Sequence, residues 1–223
     1  TYNDEVHIQS TPSQFVIVAT ENSTEVIIKP SADTKYYGQQ AQNITLQRGE
    51  CYLVQADIVP TNLNGDLTGT EITSDKPVAV FGSHQRSVIP FNHNLQSGSR
   101  DFLCEQMPPT NVWGKNAFLV PYPQPQNVQM KHPDIFRILA AFDNTDVFLG
   151  NTKVATLAKG EFYEDSLVNP IQVRASAPIM VAQLKKTSQD NQEIPPNGDP
   201  FLMLIPPKEQ FMNNYRIINT QAY

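Results

Sequence analysis

Short runs of alternating apolar and polar residues, each closed by Pro, Gly, Asn or Asp, follow one another along the whole chain, and none sustains the period of a helix. The pattern predicts an all-β protein. Its organising stretch is residues 66–86, DLTGTEITSDKPVAVFGSHQR, because the same signature returns about a hundred residues later in residues 169–186, NPIQVRASAPIMVAQLKK. In each copy a short alternating strand (Glu71, Ile72, Thr73; Gln172, Val173, Arg174) leads to a proline turn at Pro77 or Pro178. A nearly all-apolar strand follows (residues 78–81 and 179–182). A strand without a polar face needs cover on both sides, so these two are expected at the centre of each core.

The rest of the chain repeats in the same order. Residues 15–19 and 25–29 read as strands, and residues 43–47 and 50–54 as a pair joined by a tight hairpin at Arg48-Gly49. Their counterparts are Phe136 for Phe15, Thr145-Asp146-Val147 for Thr24-Glu25-Val26, and Gly160-Glu161-Phe162-Tyr163 for Gly49-Glu50-Cys51-Tyr52. Pro206-Pro207 repeats Pro108-Pro109, residues 215–218 repeat residues 117–120, and residues 116–120 are expected to close the first unit. Residues 57–66, with the turn signal Asn64-Gly65, are an insertion confined to the first copy. The fold expected is two tandem, internally duplicated antiparallel β-sandwich-like units, residues 13–123 and 134–223, joined by a Pro-rich linker at 124–133. Residues 1–12, with the alternating Glu5 to Gln9, resemble the closing strand of a preceding unit, so the chain reads as a piece of an array. A four-bladed propeller is the alternative, disfavoured because the repeat period is about a hundred residues and not half that.

Composition narrows the function. The 223 residues carry a net charge of -6, which repels a phosphate backbone, so nucleic acid is excluded as a partner. No apolar run is long enough to span a bilayer, so no membrane insertion is expected. A search for catalytic chemistry yields little. Ser83 and His84 are adjacent on a strand and point to opposite faces. The 4 histidines show no ligand spacing, Asp143 to Asp146 reads as an ordinary turn, and there is no glycine-rich phosphate loop. Glu50 and Glu161 recur at equivalent places, which suggests a structural hydrogen bond in the turn. No catalytic residue, metal or cofactor is assigned, and Trp113, at the place of Phe211, reads as a plug under a turn.

Three sets of residues remain as candidates. The loops at 85–100 and 185–198 leave equivalent central strands and are the longest polar connections. The first offers Arg86, Phe91, His93 and Arg100 as a mixed cationic and aromatic binding set. Cys51 and Cys104 stand where the second copy has Phe162 and Leu202, so both are expected to point into the core and to form a disulfide. Asn22 and Asn43 head N-x-S/T sequons in polar turns, where a glycan has room.

The motifs SQFVIVATENSTEV, LQRGECYLVQA, DLTGTEITSDKPVAVFGSHQ, EQMPPTNVWGK, FRILAAFDNTDV, KGEFYE and GDPFLMLIPPKEQF, in this order, resemble the N-terminal domain of the IgGFc-binding protein family over residues 13–211. That resemblance implies an extracellular, non-enzymatic module of a larger secreted or cell-surface protein. Family members carry cysteines in the regions of Arg86 and Arg100, so the resemblance implies no loop bridge for this chain. The reading drawn is an adhesion or ligand-binding module for a protein or glycan. The alternative is a structural spacer or filament subunit that contacts neighbouring copies.

Overall fold

A computed structural model describes residues 11–58, 65–87, 89, 101–122, 133–186 and 200–218. The described chain is built from antiparallel strands. In the first half these are β1 (Ser13–Ala19), β2 (Thr24–Lys29), β3 (Gln42–Leu46), β4 (Cys51–Gln55), β5 (Glu71–Ser74), β6 (Val78–Ser87) and β7 (Asp101–Gln106). After β8 (Gly114–Leu119) the second half follows with β9 (Asp134–Ala140), β10 (Thr145–Leu149), β11 (Thr152–Leu157), β12 (Phe162–Leu167), β13 (Ile171–Lys185) and β14 (Phe201–Ile205). Two 3-10 turns, Thr110–Val112 and Lys208–Gln210, follow the paired prolines in each half.

In the first half one sheet has the order β4-β1-β6-β7 and the other β3-β2-β5. Strands 3 and 4 therefore do not pair with each other, contrary to the hairpin expected from Arg48-Gly49. Strand β3 pairs with β2 and β4 with β1, so the turn carries the chain from one sheet to the other. The reason lies in the alternation of β1 and β2. Phe15, Ile17 and Ala19 of one sheet, with Val26 and Ile28 of the other, are buried against each other, as two packed layers require.

The second half repeats this pairing strand for strand. Its larger layer runs β12-β9-β13-β14, and its smaller layer β11-β10-β13, because β13 serves both. The turn expected at Pro178 is absent: β13 continues through it, pairing with β10 up to Ala175 and with β9 from Ile179. Proline tolerates this place because it lies between the two ladders, where its missing N–H breaks no bond of either, and the Pro178 carbonyl still accepts the N–H of Ala141 at 3.1 Å. In the first half the same junction is a true break at residues 75–77. The central strands are covered unequally. Ile179 and Val181 are buried, whereas residues 78–81 are all only half-buried.

The duplication extends to single hydrogen bonds. The Glu50 carboxylate accepts the N–H of Gln47 at 2.7 Å, and that of Glu161 accepts the N–H of Ala158 at 2.8 Å. Both are the structural bonds expected of the repeated turn, and Gly49 and Gly160 take the left-handed φ of 83° and 78° that the turn requires. Thr24 and Thr145 are fully buried, and each hydroxyl donates to the carbonyl three residues back, Glu21 at 2.8 Å and Phe142 at 2.6 Å.

One strand breaks the correspondence. Residues 116–120 are expected from sequence to close the first unit, but β8 pairs with β13 in the second half, Ala117 opposite Val173 and Leu119 opposite Ile171. The exchange follows from burial. Ala117 and Leu119 complete the second core, where Val173 is fully buried, while the alternate residues Phe118 and Val120 face outward. Further contacts lock the halves together: Arg137 binds Asp66 and Thr68 of the first half as well as Glu164, and Lys159 reaches Glu71 at 2.6 Å. Gly69 lies against Gly160 so closely that a Cβ on it would collide with the Gly160 carbonyl.

Candidate functional site

The residues that bring ligand chemistry together lie in a segment private to the first half. Between β10 and β11 the chain turns through Gly150 and Asn151, whereas between β2 and β3 it makes a loop, residues 30–41, PSADTKYYGQQA. This loop is fixed along the outer edge of β4. The N–H of Lys35 donates to the Gln55 carbonyl at 3.0 Å, that of Asp57 to the Asp33 carbonyl at 2.7 Å, and Thr34 and Gly38 exchange backbone bonds at 2.9 and 3.1 Å. Gly38 closes that turn with a φ of 54°, and the buried Thr34 hydroxyl reinforces it by donating to the Gly38 carbonyl at 2.8 Å.

A shallow, open cleft lies between loop and sheet, lined by Thr34, Lys35, Tyr36, Tyr37, Gln42 and Tyr52, with residues 53–55 as its floor. Tyr36 is 77% exposed, Tyr37 and Leu53 are also exposed, and the Lys35 ammonium lies 5.4 Å from the Tyr36 ring centroid. The Tyr52 hydroxyl donates to the Gln42 side-chain carbonyl at 2.9 Å, and the buried Nε2 of the same amide has no hydrogen-bond partner. Burial and the neighbouring Tyr37 hydroxyl push the Tyr52 phenol above its ordinary value. The lining offers aromatic surface, hydroxyls, amides and one cation, a set that suits recognition.

Of the binding residues expected from sequence, only Arg86 is described; Phe91, His93 and Arg100 lie outside the described residues, as do most of both long loops. Arg86 is exposed at the end of β6, its N–H donating to Nδ1 of His84 at 3.3 Å and its carbonyl accepting from the Thr11 hydroxyl at 2.6 Å. The roots of the two loops do converge. Ile89 and Leu103 from the first half and Ile135 from the second form one buried cluster, with Leu184 and Leu202 packed on it. Beside it Tyr122 lies 4.6 Å from the Phe201 ring, and burial together with Asp134 and Glu105 pushes its phenol up to about 12. Ser83 and His84 are both half-buried, and burial lowers the His84 pKa against the opposing pull of Asp66.

The disulfide expectation is corrected. Both cysteines are free and exposed, and they sit on the two outermost strands of the larger sheet, with β1 and β6 between them. Three strand spacings put them about 14 Å apart across the sheet. They are also offset along it, since Cys51 is level with Val18 and Ala79 but Cys104 with Ser83, so no bridge that needs Cα atoms within about 7 Å is possible. The inference from Phe162 and Leu202 fails because both of those are themselves only half-buried. Asn22 lies in an exposed turn, its side-chain carbonyl accepting the N–H of Arg48 at 3.1 Å, and Asn43 is exposed on β3. Trp113 anchors its turn as expected, donating from the indole N–H to the Pro108 carbonyl at 2.9 Å.

A family model described as IgGFc binding protein matches residues 2–223. Neither the curated proteins nor the solved structures contain a match.

Proposed function

Because the chain belongs to the IgGFc binding protein family, we propose that it is a non-enzymatic, extracellular ligand-binding module of a larger secreted or cell-surface protein, and that the cleft between loop 30–41 and β4 holds its ligand. The observation that carries this reading is the cleft itself: a loop absent from the second half is fastened to a sheet edge by two backbone hydrogen bonds, closed on itself by two more, and presents Tyr36 and Tyr37 to solvent. Tyrosines on a rigid support give large amphipathic contact area at low entropic cost, and Lys35, Gln42 and Tyr52 add directional polar groups, which suits a protein epitope. Adhesion through this surface is the role that follows. The set Arg86, Phe91, His93 and Arg100 expected from sequence is a second candidate, supported by the convergence of the described loop roots on one apolar cluster. An extracellular setting agrees with exposed sequons at Asn22 and Asn43, and a glycan at Asn43 would cover the outer edge of β3 against unwanted pairing.

Binding of the chain to an IgG Fc fragment and to an array of immobilised glycans tests the reading. The expected result is Fc binding that Tyr36→Ala/Tyr37→Ala reduces at least tenfold and Arg86→Ala/Arg100→Ala leaves unchanged. The opposite pattern would move the site to the loops, and binding of neither probe at high micromolar concentration would remove the ligand class proposed.

A further inference from the structure

The smaller sheet of the second half is four strands wide because β8 lies along β13, whereas that of the first half ends at β5. Carrying the repeat across, Thr73 is the equivalent of Arg174 and Ile72 of Val173, while Asn214, Tyr215 and Ile217 are the equivalents of Asn116, Ala117 and Leu119. Among the described residues β5 pairs only with β2, and residues 213–218 pair with no strand. Among the described residues, the outer edge of β5 thus has no paired strand, and residues 213–218 have no paired edge. The second is conspicuous in exposure: Ile217 is 88% and Ile218 101% exposed, where Leu119 is 1%.

We propose that the edge of β5 is a docking site for residues 213–218 of a second copy of this chain, which joins copies head to tail by strand donation. The occupant is identified by the chain's own example, since β8 is this same donation carried out once within the molecule, and it fixes the register: Asn214 opposite Thr73 and Tyr215 opposite Ile72. In that register Tyr215 and Ile217 point inward, towards the half-buried Ile72 and the first core, and Arg216 takes the outward place that Phe118 holds. Asn116 donates from its side-chain amide to Glu209 at 2.9 Å, and the same amide on Asn214 would meet Asn111 of the second copy, another side-chain carbonyl acceptor. The copying stops at Met212. It corresponds to Gly114, where a Cβ would collide with Pro207, so the donated stretch begins after it. Because donor and acceptor are different surfaces, the contact is heterologous and can join more than two copies in succession. A four-residue edge gives a weak bond between free molecules, one that tandem linkage strengthens through effective concentration.

The test is cross-linking of the full chain carrying Thr73→Cys and Asn214→Cys in a Cys51→Ser/Cys104→Ser background, with sedimentation of the unsubstituted chain alongside. The expected result is a ladder of covalent multimers on oxidation and a sedimentation coefficient that rises with concentration. Adding Tyr215→Asp and Ile217→Asp should abolish both while the melting temperature stays within about 2 °C. Absence of a ladder, a cross-link formed within one chain, or a ladder that appears only after residues 1–10 are deleted would each overturn the proposal, the last by assigning the edge to the chain's own N-terminal segment.

Discussion

The two halves of this protein are the same sandwich solved twice, and they differ in what they do with their spare edges. Each has a four-strand layer and a three-strand layer related residue by residue, with the same turn carboxylates, the same buried threonines and the same left-handed glycines. Among the described residues, the second half alone receives an extra strand, and the first half alone carries the tyrosine loop. The core therefore accounts for what is shared, and edges account for what is private. An edge is where a sheet accepts new partners, whether a strand in β13's case or a fastened loop in β4's.

The largest effect should come from separating β8 from its counterpart. Leu119→Asp places a carboxylate in the second core and is expected to destabilise by about 4 kcal/mol or more, whereas Ile217→Asp, at the equivalent and exposed place, should stay within about 0.5 kcal/mol in dilute solution. Urea denaturation of the two variants reads the contrast, and equal costs would break it.

The next effect concerns the tie between halves. Burial raises the Asp66 pKa, but Arg137 and the hydrogen bonds from Thr68 outweigh it and hold the carboxyl below its ordinary 3.8. Such a group adds stability above its unfolded value that is lost as pH falls through the folded one. The wild type should therefore lose stability more steeply below about pH 4 than Arg137→Met, which at neutral pH should cost roughly 1–2 kcal/mol for a partly exposed pair. Denaturation midpoints at several pH values check both parts.

Smaller effects sharpen the equivalence of the copies. Thr24→Val and Thr145→Val each remove one buried hydroxyl bond and should cost about 1 kcal/mol apiece, additively. A difference above about 1 kcal/mol between them would mean that the matched geometry hides unequal environments. Smallest of all, Cys51→Ser/Cys104→Ser should leave stability within about 0.5 kcal/mol, in contrast to the loss of a bridge, and two thiols should titrate in the native protein.

Much of the shared architecture was legible in the sequence because alternation and turn residues encode it locally. The all-β class and the strand positions follow from residues within one copy, and the duplication and the role of Glu50 and Glu161 follow from setting the two copies side by side. What was not legible depends on partners far apart in the chain. Nothing in residues 114–119 distinguishes pairing with the first half from pairing with β13, and the break at Pro178 looked like that at Pro77 until two ladders were seen to meet there. The cysteines were misread because an apolar residue at the matching position was taken to mean a buried one. The tyrosine loop had a signal that sequence reasoning passed over: residues 30–41 stand where the second copy needs only Gly150 and Asn151, and two adjacent tyrosines in a polar loop have no core to fill.

The central claim, that one strand position is filled by exchange in the second half and left unpaired at its repeat, is tested most directly by amide hydrogen exchange in dilute solution. The account predicts that the amides of Ala117 and Leu119 exchange as slowly as those of β13, while those of Tyr215 and Ile217 exchange at the rate of an unstructured chain. Protection of residues 215–218 equal to that of β8 in the monomer would contradict it.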